Sequence, residues 1–313
     1  MVEKVIMFAI IIAISFISTK IGWINETVRG GLSRLIIKVT APLMIFTSIS
    51  NLGYDLSLIW ESITIVAMAL VCVTVLFYIG VVYAKAAKLD EKTKGVQVAL
   101  MAFGNVAFLA YPLLEAVFGP IGVFYGAFYH LVNDTCFWSV GVAKIDYKGK
   151  QSKKERIAGI FSNNMIAIIL GLVFFVLQIK LPPALFNPLA GLGGTTVYLS
   201  LVFVGATMAT VDINKTYKKL SIYAIVFFKM LVIPVIVAFI LTNIYSFGLT
   251  YEAICAVVLQ ISMPCMIIVS IMANELGGNY KYAAEAVFVT TVASLVTMPV
   301  MLFIIDKFML IST

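Results

Sequence analysis

The hydrophobic positions of this chain neither alternate nor recur in short amphipathic stretches; they run on. Ten apolar runs stand out, at about 5–21, 31–51, 59–84, 93–118, 121–143, 160–180, 188–210, 219–245, 251–275 and 281–309. An α-helix needs roughly 20 residues to cross the hydrocarbon core, and each run comes close to that or exceeds it. Polar residues collect in the short intervals between. The pattern predicts an all-α polytopic membrane protein of ten transmembrane helices. Lys4 precedes the first run in the manner of a secretory signal. No small-x-small cleavage site follows it, and the chain leads straight into the next run, so the segment is read as a helix.

Composition agrees with this and excludes other classes. Of 313 residues, 62% are hydrophobic and 12% charged, against about 45–50% and about 25% in soluble domains. A soluble core cannot hide that much apolar surface, and a disordered chain is biased the other way. The net charge of +7 is no nucleic-acid signal, because the basic residues sit in short loops between apolar runs. Cys72, Cys136, Cys255 and Cys265 lie inside such runs and far apart. They read as small buried hydrophobes, with neither a disulfide nor a metal site expected.

Charge also gives an orientation. Of the 22 basic residues, all except Lys4, Lys38, Lys180, Lys229 and Lys307 fall on one set of loops, which includes Lys215 and Lys218. The positive-inside rule places those loops in the cytoplasm and both termini outside, in a multi-pass protein of the cell membrane. The longest polar segment, KIDYKGKQSKKER at 144–156, is read as a basic cytoplasmic linker. It is most simply a topology signal, with anionic headgroups or a partner as the other use of its charge. It separates a first five-helix repeat, 1–143, from a second, 157–313.

Sliding the second half over the first by about 159 residues sets every run on a run. FGNVAFLAYPLLEAVFG (Phe103–Gly119) then overlies SMPCMIIVSIMANELGG (Ser262–Gly278). Since each half holds an odd number of spans, the two copies are inverted, an architecture of secondary transporters. The fourth run is interrupted by Gly104 and Asn105, with Pro112 seven residues on, and the ninth by Pro264. Proline removes a backbone donor and crowds the preceding turn. Freed backbone groups at membrane depth are tolerated only along a buried or wet cavity. Two breaks in register therefore predict a midplane site between crossover helices 4 and 9, with half-helix N-termini suited to an anion.

These segments resemble the auxin efflux carrier family, of plant PIN-type exporters and bacterial permeases for malonate- or malate-like acids. GNVAFLAYPLLEAVFG resembles the family's asparagine–proline motif of the fourth helix, and VTAPLMIFTSIS its proline-containing second helix. HLVNDTCFWSVG is similar to the fifth helix, VGATMA to the seventh, and ANELGGNYKYAAEAVFVTTVASLVTMP to the end of the ninth and the tenth. The resemblance implies two inverted five-helix repeats. In it helices one, two, six and seven form a scaffold, commonly dimeric, and the other six a transport domain. Asn105 matches the family asparagine at the crossover and Pro264 the ninth-helix proline. Gly104 stands where the plant pattern has a proline, Asn163–Asn164 where it has asparagine–proline, and Glu61 is an approximate counterpart of an aspartate of the third helix.

Ionisable residues deep in a span are functional candidates by default. Lys38, Asp134 and Lys229 qualify. Asn105, Asn133, Pro264 and Lys38 are the candidate substrate residues, Lys38 as a fixed charge facing the anion or as a lysine reaching for the headgroups. Asp134 and Lys229 are the coupling-ion candidates, with a purely structural Asp134–Lys229 ion pair as the alternative. The expected activity is secondary active transport of small organic anions, coupled to H+, to Na+ or to neither, with no other cofactor. An anion channel, a ligand sensor, or a sodium-coupled symporter of the same crossover fold are the alternatives. An intramembrane enzyme is not expected, since His130 is the sole histidine and Asp134 the sole deep aspartate.

Overall fold

The computed structural model describes residues 2–210, 219–244 and 247–312; Lys215 and Lys218 lie outside them. Among the described residues no strand forms, and one isolated antiparallel bridge joins Gly104 to Cys265. The helices are α1 (Val2–Lys20), α2 (Glu26–Leu35), α3 (Ala41–Ser50), α4 (Leu56–Ala86), α5 (Glu91–Ala102), α6 (Tyr111–Phe118), α7 (Pro120–Cys136), α8 (Val142–Ile145), α9 (Lys153–Ile160), α10 (Asn163–Val176), α11 (Pro183–Gly194), α12 (Thr196–Met208), α13 (Leu220–Ile225), α14 (Ile233–Phe239), α15 (Tyr251–Ile261), α16 (Ile268–Leu276) and α17 (Tyr280–Ser312). Among the described residues five continuous stretches are long and apolar enough to cross a membrane: Glu26–Ser50, Leu56–Ala86, Pro183–Met208, Leu220–Asn243 and Tyr280–Phe308. The pair α9–α10 adds a sixth if its 48° bend belongs to one span. Ile6–Lys20, Val106–Phe118 and Tyr251–Ile261 are apolar but shorter. The protein is therefore a multi-pass helical membrane protein.

Prolines shape the long stretches in a way their sequence does not announce. The π-helical segments Ile36–Thr40, Val106–Ala110 and Val226–Val232 run directly into α3, α6 and α14, which carry Pro42, Pro112 and Pro234 in their first turn. A proline ring crowds the carbonyl four residues back and offers it no N–H. Widening the preceding turn to the π register relieves both problems without ending the helix. Pro112, expected as a helix break, is thus carried through; the break lies upstream, after Ala102.

The chain divides into two compact units, each drawing on segments before and after the basic stretch 144–156. The first comprises Met1–Ile63, Ala107–Phe128 and Phe161–Thr210. Its helices meet through small residues, the usual device where no water drives association. A Cβ on Gly205 would stand 2.4 Å from the Ile12 carbonyl oxygen, one on Gly193 2.7 Å from the Met44 nitrogen, and one on Gly171 2.9 Å from Ile49 Cβ. Phe46 and Phe174 meet edge to face at 5.1 Å. The buried Glu61 carboxylate accepts from the Tyr125 hydroxyl. Lys180 Nζ donates to the carbonyls of Asn51 and Leu52, at 3.0 and 2.8 Å, closing the end of α3.

The second unit comprises Thr64–Val106, Tyr129–Ile160 and Val211–Thr313. It contains the stretch 144–156, which is not a uniform loop. Asp146 accepts from the N–H groups of Lys150 and Gln151, and Lys148 N–H donates to the Leu276 carbonyl at 3.1 Å. Ser152 then starts α9 with a capping box. Its N–H and hydroxyl donate to Glu155 Oε2 at 2.8 and 2.9 Å, while Glu155 N–H donates back to Ser152 Oγ at 3.2 Å. The Ser152 N–H first, and its hydroxyl second, hold the Glu155 carboxyl below the usual carboxylate range. All four cysteines are free.

Candidate functional site

The site is built where α5 and α15 stop. α5 ends at Ala102, Phe103 turns extended (φ −107°, ψ 128°), and the chain becomes helical again at Val106. α15 ends at Ile261, and α16 does not begin until Ile268. The two interruptions lie antiparallel. Asn105 N–H donates to the Pro264 carbonyl at 2.8 Å, Met266 N–H donates to the Phe103 carbonyl at 3.3 Å, and Gly104 bridges Cys265 between them. Pro264 has no N–H to give, so it serves this pairing as an acceptor only. Glycine at 104 suits the close approach: a Cβ there would lie 3.1 Å from Met263 Cβ and 3.3 Å from the Gln260 carbonyl oxygen, tighter than most such contacts.

Backbone groups released by the breaks are taken up by side chains of the same unit, as burial demands. Gly104 N–H donates to Asn133 Oδ1 at 3.3 Å, and Cys265 N–H to Thr290 Oγ1 at 3.1 Å. Lys229, 1% exposed, donates to the carbonyls of Leu100, at 3.1 Å, and Phe103. Asn133 continues outward from the crossover: its Nδ2 donates to Asp134 Oδ1 at 3.3 Å, and Asp134 Oδ2 lies 3.0 Å from His130 Nε2. His130, Asn133 and Asp134 are all buried. A backbone N–H at the break, an amide and a carboxylate thus form one connected chain, with an imidazole nitrogen 3.0 Å from its far end. Gln260 is fully buried beside the crossover, and neither atom of its amide has a hydrogen-bond partner among the described residues.

Asn105, Asn133, Pro264, Gly104, Asp134 and Lys229 therefore lie in one unit, and the first four meet at the breaks. Lys38 belongs to the other unit, where it is exposed on the π segment Ile36–Thr40. The Asp134–Lys229 ion pair expected as an alternative does not form. Asp134 faces the imidazole four residues earlier on α7, and the ammonium of Lys229 is claimed by carbonyls that lose their helical donors at the break. His130 was set aside in the sequence for want of a second histidine. Its spacing of four from Asp134, which puts both on one helix face, was the signal for the pair. Gln260 carried no such signal, because its isolation is a matter of packing. Among the described residues no group of three or more His, Cys, Asp or Glu side chains is placed to hold a metal ion.

A family described as membrane transport protein matches residues 1–302 of the chain. An uncharacterized transporter of Methanothermobacter thermautotrophicus is 26% identical over 299 residues, covering 95% of this chain and 96% of that one. Helical architecture, crossed breaks and a match over almost the whole length lead to one assignment: the chain belongs to the membrane transport protein family, that of the auxin efflux carriers.

Proposed function

We propose that this transport protein is a secondary active carrier of small organic anions, carboxylates such as malonate, malate or auxin-like weak acids. It works by alternating access around the crossover, in a frame of ten spans arranged as two inverted five-helix repeats. The observation that carries this reading is the Asn105–Pro264 bond at 2.8 Å. At an offset of about 159 residues these two positions overlie one another, and the axis of an inverted repeat is where equivalent residues meet. A carboxylate at this point would find the Asn105 side chain at the N-terminal, positive end of the half-helix Val106–Phe118. The unpartnered Gln260 amide offers it both a donor and an acceptor, and Lys229 keeps a positive charge on the opposite half of the broken helix.

The test is a thermal-stability panel on the purified protein with mono- and dicarboxylates, indole acids and bile acids, at acid and neutral pH. A ligand that binds only the folded state adds roughly 2.7 kcal/mol at 100 times its dissociation constant. One class of acid should stabilise the wild type and not Asn105→Ala. Stabilisation by none of them, with wild type and variant alike, would contradict the reading.

A further inference from the structure

The position of Lys229 goes beyond charge complementarity to an anion. In an unbroken helix the Leu100 carbonyl would accept from the N–H of residue 104, four residues on. Here that N–H is diverted to Asn133 Oδ1, so the carbonyl is left to other donors. It receives Lys229 Nζ at 3.1 Å and Cys265 Sγ at 3.5 Å. Phe103, one residue past the end of α5, presents a second carbonyl to the same ammonium. These oxygens mark the negative end of the α5 dipole, buried at the point where two broken helices cross. Unwound carbonyls and half-helix C-terminal ends are what carriers of this construction use to coordinate a monovalent cation. Among the described residues Lys229 enters no ion pair, so its charge is answered by carbonyl dipoles and not by a carboxylate.

We propose that the Lys229 ammonium is a tethered cation, occupying a carbonyl-lined monovalent-cation site at the crossover so that the protein needs no sodium ion there. The π-helical segment Val226–Val232 that bears Lys229 places it, and the ammonium moves with the crossover instead of exchanging with solution. The inference takes the crossover as the transport site, but it concerns a cation and is tested with no organic anion present.

The experiment measures the thermal unfolding of purified full-length wild type and Lys229→Ala in sodium, potassium, methylammonium or choline chloride at equal concentration. Wild type should melt at the same temperature in all four salts. Lys229→Ala should melt lower in choline and recover by about 2–4 °C or more in methylammonium or an alkali cation, which refill the vacated oxygens. Stabilisation of the wild type by sodium over choline would overturn the proposal. So would a Lys229→Ala protein that no small cation stabilises more than choline does. If the variant does not survive purification in choline, parallel purification in methylammonium decides the matter. Monodisperse protein only with the small cation supports the proposal, and equal loss in both salts refutes it. Failure of the anion reading would leave these shifts unchanged, because chloride is constant throughout.

Discussion

The amide of Asn105 and the carbonyl of Pro264, 2.8 Å apart, tie together two helix interruptions that lie on opposite sides of the basic stretch 144–156. Each residue solves a problem set by the other. Pro264 has no N–H, so its neighbourhood cannot remain helical at no cost, and its carbonyl is free to accept. Gly104, with no Cβ, eases the close approach of the segment that carries Pro264. The remaining backbone groups are satisfied by Asn133, Thr290 and Lys229, three side chains from three further helical segments. The crossover is thus held from several directions within one unit while leaving the Gln260 amide unengaged.

Asn133 and Asp134 separate the structural part of this network from its proton chemistry. Asn133→Ala removes the acceptor of a buried N–H and should cost about 1–3 kcal/mol of stability, read by thermal unfolding. Asp134→Asn keeps shape and most hydrogen bonding, so it should fold. In vesicles its anion uptake should lose the pH dependence of the wild type, as should that of His130→Gln. A pH profile for Asp134→Asn that matches the wild type would remove Asp134 from any coupling role.

Two glycines of the first unit should respond oppositely to alanine. Gly205→Ala drives a methyl to within 2.4 Å of the Ile12 carbonyl and should destabilise the protein by about 1–3 kcal/mol. Gly191, in α11, has nothing within 4 Å of its would-be Cβ, and Gly191→Ala should stabilise by roughly 0.4–1 kcal/mol. Melting temperatures of the two variants under one condition check the contrast.

The capping box at the exposed start of α9, in the basic linker, gives a pH prediction. Glu155 titrates below its ordinary range because Ser152 donates to it. Its contribution to α9 is therefore present above the carboxylate's unfolded pKa and lost as pH falls through the lower, folded value. Ser152→Ala removes the hydroxyl and should move the Glu155 midpoint upward, toward the ordinary carboxylate range. Carboxyl chemical shifts of glutamate-labelled protein in nanodiscs would show this; an unmoved midpoint would mean that the Ser152 N–H alone holds it.

The lysine and arginine distribution predicts an orientation that a reporter can test. Alkaline phosphatase fused at the C-terminus should be active, and the same reporter placed after Lys150 inactive. The reverse pattern would invert the topology.

Much of this was legible in the sequence. Gly104 and Pro264 mark both breaks because proline and glycine act on the backbone locally, and the apolar run 59–84 falls within the helix Leu56–Ala86. What the sequence concealed depends on alternatives open to the folded chain. Pro112 reads as a break, but a π turn accommodates it at lower cost. An Asp134–Lys229 ion pair stands as an alternative in the sequence because depth and sign are all a sequence offers. The competitors for Lys229, two carbonyls that lose their helical donors at the very break that was foreseen, appear only once Gly104 N–H is seen to turn toward Asn133. The capping box S-x-x-E at 152–155 lies in a run of charge that reads in the sequence only as a basic linker.

The central claim, a carrier with one anion site at the crossover, is tested most directly by counterflow. Proteoliposomes are loaded with an unlabelled carboxylate that stabilises the protein, and a trace of the labelled acid is added outside. A carrier should accumulate label transiently above equilibrium, with a rate that saturates as the external acid is raised, and Asn105→Ala should abolish the overshoot. Label that only equilibrates, at a rate linear in concentration and accompanied by unitary conductance in planar bilayers, would contradict the account and make the protein a channel.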